Sequence, residues 1–218
     1  MGTGAQTEAV NQYRDRSHAG DVLAAELARR DLTQPTVLGL VRGGVPVAVR
    51  VAAALHAPLD ALVVRKLGVP WAPEVAFGAL GPAGVRVLNP QVADQVSRDD
   101  IAEVTEQEKA ELARREDRYR PGRGPVEVGG RTAVVVDDGL ATGATARAAV
   151  EVVRKLGADR VVLAVPVGSP QAVDWLREAA DEVVCPLAPA DFGAVSRYFE
   201  TFEQVTDGAV VALLGATG

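Results

Sequence analysis

Soft metal ligands and aromatic rings are scarce in this chain. Cys185 is the only cysteine, which excludes an internal disulfide framework and any multi-cysteine zinc or iron–sulfur site. Two histidines, His18 and His56, leave little material for a histidine-rich metal centre. Lysine is reduced to Lys66, Lys109 and Lys155, so arginine carries nearly all the positive charge. A GC-rich genome produces that bias together with abundant alanine and valine, yet it lends weight to a lysine at a chemically suggestive place. The net charge is −6 and the isoelectric point is ≈ 5.0. Both argue against a general nucleic-acid or anionic-membrane binder. Long apolar runs are absent as well. Ala133 to Val136 and Val161 to Val165 are far too short to span a bilayer. The opening stretch MGTGAQTEAVNQYRDR has no apolar signal core. The expectation is a cytoplasmic enzyme with no membrane and no nucleic-acid partner.

What is present suits one folded domain. The 218 residues are 48% apolar and 24% charged, ample for a buried core. Short β-rich runs alternate with helical stretches. Strands are predicted at Thr36–Val41, Leu59–Arg65, Thr132–Val136, Arg160–Val165 and Glu182–Cys185, with helices at Pro46–His56, about 143–156 and Gln171–Ala180. Apolar runs without strict alternation read as strands covered on both faces. The repeated strand–helix–strand spacing implies an α/β fold with an open, mainly parallel five-stranded sheet flanked by helices.

Three segments interrupt the alternation. Ala19–Arg30 is an amphipathic helix. Gly68–Asn89 is rich in glycine and proline, with short strands predicted near Val75–Leu80 and Val85–Leu88. Ser97–Arg120 is a highly charged helical insertion, capped by Ser97 with Asp99 and Asp100 in its first turn. A turn, Pro121–Pro125, follows it.

The chemistry concentrates in AVVVDDGLATGATARAAV, residues 133–150. An apolar strand runs into Asp137 and Asp138. A loop of small residues follows, then a helix. In an open parallel sheet such a loop lies at the ligand-binding edge. Ala141, Thr142, Gly143, Ala144 and Thr145 let backbone N–H groups approach an anion, and the helix start adds its own donors and dipole. That is a site for a phosphate monoester. The adjacent carboxylates would repel phosphate, so they suit sugar hydroxyls or hydrated Mg²⁺. Other phosphate loops fit worse, because neither GxxxxGK[ST] nor a strand-following GxGxxG occurs.

These residues resemble the phosphoribosyl-pyrophosphate (PRPP) signature of type I phosphoribosyltransferases. The resemblance implies that Asp137 and Asp138 contact the ribose hydroxyls, with metal held indirectly through ribose or water, and that Ala141–Thr145 wrap the 5-phosphate. Val41–Val45 resembles the family's pyrophosphate loop, which would assign Arg42, Gly43 and Gly44 to the diphosphate and place a cis peptide at Arg42–Gly43. Arg65 and Lys66, after the next strand, are the cations expected to join them. The resemblance further implies a mobile loop at about 68–89, with Glu74 as the candidate general base. It also implies a small hood from the termini, at about 10–20 and 187–206. Arg14, Arg16 and His18 are the hood candidates at one end, and Phe192, Tyr198 and Phe199 at the other. Those aromatics either stack on a flat acceptor or pack under the long loop.

The expected arrangement is a single domain over 1–218 with its core at about 36–185. The expected activity is Mg²⁺-dependent transfer of 5-phosphoribosyl from PRPP to a nitrogen nucleophile, a nucleobase by family, with release of pyrophosphate, in a homodimer. A non-catalytic PRPP- or nucleotide-sensing protein of the same fold is the alternative. Two positions depart from relatives. Ala141 stands where 6-oxopurine enzymes carry an acid, and Gly139 stands where an aliphatic residue commonly follows the acid pair.

Overall fold

A computed structural model of the protein describes residues 12–122 and 124–216. The elements, in chain order, are α1 (Arg16–Leu27), β1 (Pro35–Leu40), α2 (Gly44–Leu55), β2 (Leu59–Leu62), β3 (Arg65–Val69), β4 (Ala72–Leu80), β5 (Arg86–Leu88), α3 (Pro90–Ala93), α4 (Arg98–Tyr119), β6 (Thr132–Val136), α5 (Ala144–Lys155), β7 (Arg160–Ala164), α6 (Pro170–Leu176), β8 (Glu182–Val184) and α7 (Asp207–Gly215). Short 3-10 turns occupy Pro82–Gly84 and Val195–Tyr198.

The apolar runs form the expected parallel sheet, in the order β2-β1-β6-β7-β8. Successive side chains of a strand point to opposite faces, and both faces of this sheet are covered. Val134, Val136, Val162 and Ala164 pack with α1, α2 and α7. Ala133, Val135, Val161 and Leu163 pack with α5 and α6. This double burial explains why the strands carry no polar alternation. It also sets where ligand can bind. The helix after β1 lies on one face and the helix after β6 on the other. The winding therefore reverses between these neighbouring strands, which opens a crevice at their carboxyl ends.

The glycine- and proline-rich stretch is more regular than its composition suggests. β3, β4 and β5 make a separate antiparallel sheet, with a tight turn at Pro70 and Trp71. The run expected as one strand over Leu59–Arg65 is split, because β2 ends at Leu62 and Arg65 opens β3. Pro73 is tolerated inside β4 because the pairing is irregular from Ala72 to Ala76, where its missing N–H breaks no ladder bond. Leu67, Val69, Phe77 and Leu80 anchor this small sheet in the first core layer.

The charged insertion is the helix its sequence predicts. The Ser97 hydroxyl accepts from the Asp100 N–H at 3.1 Å, and Leu112 and Tyr119 supply its thin buried stripe. α7 has no counterpart among the elements expected from sequence. It is capped by Thr206, whose hydroxyl accepts from the Ala209 N–H at 3.1 Å. Tyr13 bridges to Phe199, so the two hood segments are tied together. Residues 10 and 11 of the N-terminal hood segment, and Arg123 of the turn after α4, lie outside the described residues.

Candidate active site

The crevice between β1 and β6 brings the two expected loops into contact. The loop after β1 holds a cis peptide at Val41–Arg42, one bond earlier than expected. Gly43 already has helical dihedrals, with φ −62° and ψ −32°, so the Arg42–Gly43 bond belongs to the start of α2. Space explains both glycines. A Cβ on Gly43 would lie 2.1 Å from Asp138 Oδ2, and one on Gly44 would lie 2.4 Å from the Val136 carbonyl oxygen. The first loop is therefore seated against the acid pair and the end of β6.

The small-residue loop, Ala141–Thr145, joins β6 to the start of α5. Gly143 caps α5 with φ +77°, a left-handed conformation that favours glycine. Leu176 and Ala172 crowd its Cα on the other side. Thr142 and Thr145 are exposed beside the helix start. The first turn of α5 offers backbone N–H groups that no helical carbonyl can reach. Ser169 steadies the loop, donating its hydroxyl to the Ala141 carbonyl at 2.8 Å. Gly139, the departure from relatives, makes room for the hood: a Cβ there would lie 2.6 Å from Val195 Cγ1.

Asp137 and Asp138 share one half-buried corner. The Asp138 N–H donates to Asp137 Oδ1 at 2.9 Å. Burial pushes both carboxyls above the ordinary carboxylate range, Asp137 further because the Asp138 charge adds to it. Arg16 opposes the rise. Its Nε and Nη2 both meet Asp138 Oδ2 at 2.8 Å, while its Nη1 donates to the Glu203 carbonyl at 2.7 Å. The Arg16 guanidinium also lies 3.9 Å from the Phe202 ring centroid. One N-terminal side chain thus joins the acid pair to the C-terminal hood.

The expected diphosphate cations are dispersed. Arg42 borders the crevice and pairs with Asp207 at 3.8 Å. Arg65 is tied to Glu108 of α4 at 2.6 Å. Lys66 is exposed on β3. Glu74 is exposed on β4, in the small sheet. Asp207 also accepts from the Tyr119 hydroxyl at 2.6 Å, so α4 and α7 together hold the outer side of Arg42.

The hood aromatics divide. Phe192 and Phe199 are buried and pack with Tyr13, Ala19 and Val167, so of the two uses the sequence leaves open they take packing under the long loop. Phe192 stacks on Tyr198, centroids 5.7 Å apart, and Phe199 packs on Tyr13 at 5.5 Å. A two-ended hood needs its own small core, and these rings supply it. Phe202, not singled out by the sequence, is the aromatic at the crevice. His18 serves the start of α1, its Nδ1 accepting from the Arg14 N–H at 3.2 Å. A cavity of ≈ 500 Å³ lies between Arg42, Gly43 and Asp138 on one side and Arg16, Phe202 and Gln204 on the other.

No group of three or more His, Cys, Asp or Glu able to hold a metal occurs among the described residues. Asp138 at the cavity, with Asp137 beside it, still fits a Mg²⁺ that keeps waters and takes most of its oxygens from substrate.

An acid pair, a glycine loop and a helix start converge at the switch point of this α/β fold. The family model described as the phosphoribosyl transferase domain matches residues 6–198, and the chain belongs to that family. Two curated Mycobacterium tuberculosis proteins, from strains CDC 1551 and H37Rv, are provisionally named phosphoribosyl transferases. Each is 52% identical over 204 residues, covering 93% of this chain and 46% of its own length. The chain thus spans about half the length of these relatives. The crystal structure of TT1426 from Thermus thermophilus is 46% identical, with a TM-score of 0.87, over 93% of this chain and 97% of that one.

Proposed function

We propose that the protein transfers 5-phosphoribosyl from PRPP to a nitrogen nucleophile on a small ring acceptor and releases pyrophosphate. One observation carries the reading: Gly43 of the β1 loop is seated on Asp138 at the end of β6, so the two loops suited to diphosphate and ribose meet at one crevice. In this reading the N–H groups of Ala141–Thr145 hold the 5-phosphate. Asp137 and Asp138 accept the ribose hydroxyls. Arg16 already fills Asp138 Oδ2, which leaves Oδ1 for the sugar. Arg42 exchanges Asp207 and Arg65 exchanges Glu108 for the diphosphate, Lys66 adds its charge, and the exposed β3–β4 turn at Pro70 and Trp71 closes over the site to exclude water.

The acceptor nitrogen attacks ribose C1 as the C1–O bond to diphosphate breaks. The bonding pair leaves with pyrophosphate, the proton of the acceptor N–H passes to a diphosphate oxygen or to water, and the configuration at C1 inverts. Catalysis comes from positioning and from neutralising the departing charge. Mg²⁺, held by PRPP oxygens, water and the Asp137–Asp138 pair, would supply further charge neutralisation. The reading extends to a homodimer and a cytoplasmic location, both on the family resemblance. No helix of the described residues is long and apolar enough to cross a membrane.

Purified protein is tested with PRPP and Mg²⁺ against a panel of nitrogen heterocycles, reading pyrophosphate release, with PRPP binding measured by calorimetry. Release with at least one acceptor is expected, falling about 100-fold or more in Asp138→Asn. Asp138→Asn with unchanged PRPP-dependent turnover sinks the assignment. Tight PRPP binding without release under any acceptor favours the sensing alternative.

A further inference from the structure

The acceptor end of the cavity is dominated by one side chain whose hydrogen bonds can be counted. A guanidinium carries five N–H donors and no acceptor. Arg16 Nε donates to Asp138 Oδ2, Nη1 gives one proton to the Glu203 carbonyl, and Nη2 lies 2.8 Å from Asp138 Oδ2 as an ion-pair contact. At least two N–H groups, one on each Nη, have no hydrogen-bond partner among the described residues. The side chain is only 12% exposed, and it lines the cavity. An ordinary surface arginine would turn such donors to bulk water. This one is clamped by an ion pair, a carbonyl and the Phe202 ring, so its spare donors are fixed in place.

The chemistry of those donors is one-sided. They can meet an oxygen or an unprotonated ring nitrogen, and they repel an exocyclic amino group, which presents N–H of its own. Asp138, the group suited to hold the ribose, is bound by the same guanidinium. A flat acceptor within reach of Arg16 therefore lies beside the sugar carbon that it must attack.

We propose that Arg16 determines acceptor specificity, selecting a flat nitrogen heterocycle that presents an exocyclic oxygen or carboxylate over its amino counterpart. This rests on the phosphoribosyl-transfer reading above. Arg16 is at once a positioning residue for Asp138 and a direct donor to the acceptor. An acceptor oxygen aimed at the two unfilled bonds completes them, whereas an amino group in the same position sets donor against donor.

The test uses acceptors that differ at the exocyclic group and at the proton on the ring nitrogen beside it: uracil against cytosine, and hypoxanthine against adenine, with orotate as a carboxylate. Binding of each to the PRPP-loaded protein is measured by calorimetry, and pyrophosphate release is followed in parallel. The wild type is expected to favour an oxo or carboxylate acceptor over its amino partner by about tenfold or more in kcat/KM or Kd. Arg16→Gln is expected to bring that ratio below about threefold, and Arg16→Lys to keep part of it. The ratio isolates acceptor recognition, because any weakening of PRPP binding through Asp138 affects both members of a pair equally. A wild type that prefers the amino member overturns the proposal without any variant. So does a protein that binds PRPP but neither binds nor uses any oxo or carboxylate acceptor, and in that case the PRPP site itself stands. An unchanged ratio in folded Arg16→Gln, checked by its melting curve, also overturns it. Failure to bind PRPP at all removes this proposal together with the function it rests on.

Discussion

Two regions of the molecule bury carboxylates, and they do so in opposite ways. Asp60, in β2, is 1% exposed. It accepts from Arg120 Nε at 3.0 and 2.8 Å, from the Ala61 N–H at 2.8 Å and from the Val126 N–H at 3.0 Å. Arg120 is itself shared with Glu116 and the Ala61 carbonyl. Asp137 and Asp138 instead sit side by side, with a single arginine on one oxygen of the second acid. The first arrangement satisfies its acid and locks β2 to the end of α4. The second leaves acceptor capacity facing a cavity. A buried acid that is fully met is structural, and a half-buried pair left short of donors is waiting for a ligand.

The largest effect separates the two regions. Asp60→Ala strands Arg120 in the interior and is expected to cost about 3–5 kcal/mol, read from urea unfolding. Asp138→Asn is expected to change unfolding by less than about 1 kcal/mol, while turnover falls as stated above. Equal stability losses at both positions would erase the distinction.

The glycines of the β1 loop sharpen it. Gly43→Ala drives a methyl group into the Asp138 carboxylate, which can swing away. The expected result is a folded protein with kcat/KM lowered about 10- to 100-fold. Gly44→Ala meets the Val136 backbone carbonyl at 2.4 Å, which cannot yield, so there the loss is in stability as well. Circular dichroism melts alongside the activity assay distinguish these outcomes.

Acid titration should show opposite signs in two places. Asp137 is raised above its ordinary value of 3.8, so the folded protein holds a proton that the unfolded chain has released. Its effect is to lower stability as pH rises from about 4 through the raised value. Asp137→Asn should flatten that decline. Asp207 is lowered, chiefly by the Tyr119 hydroxyl and by Arg118. Its stabilising contribution is present above the ordinary value and is lost as pH falls through the lowered one. Asp207→Asn should flatten the acid limb only. Unfolding midpoints across about pH 3 to 7 read both slopes.

The smallest effect is expected on the β3–β4 turn. Trp71 is 65% exposed, so Trp71→Ala should shift stability by less than about 0.5 kcal/mol. If the turn closes over PRPP, the KM for PRPP rises about threefold. An unchanged KM argues against that role for the turn.

Much of the scaffold is legible because its signals are local. TAVVV runs into two acids, and the strand, the loop and the helix start are contiguous, so order and chemistry can be read together. Ser97 with Asp99 and Asp100 announces the start of α4 in the same way. The small sheet is harder. Short strands near Val75–Leu80 and Val85–Leu88 are legible and match β4 and β5, but β3 and its irregular pairing with β4 come only from the tertiary register. The hood rings read along the chain as either acceptor platform or loop packing, because clustering in sequence does not reveal which ring faces inward. Phe192 and Phe199 close a small core, and Phe202, three residues on, meets Arg16.

By itself the sequence determined the five parallel strands, the Asp137–Thr145 junction and the family, since each rests on residues near one another in the chain. Tertiary structure alone decided that Arg16 reaches Asp138, 122 residues away. It also decided that Arg65 lies with Glu108 rather than at the crevice, and that Gly139 clears space for Val195. Such pairings follow from how distant elements pack. A charge or a missing side chain has no periodicity, so nothing in the local sequence says which partner it will meet.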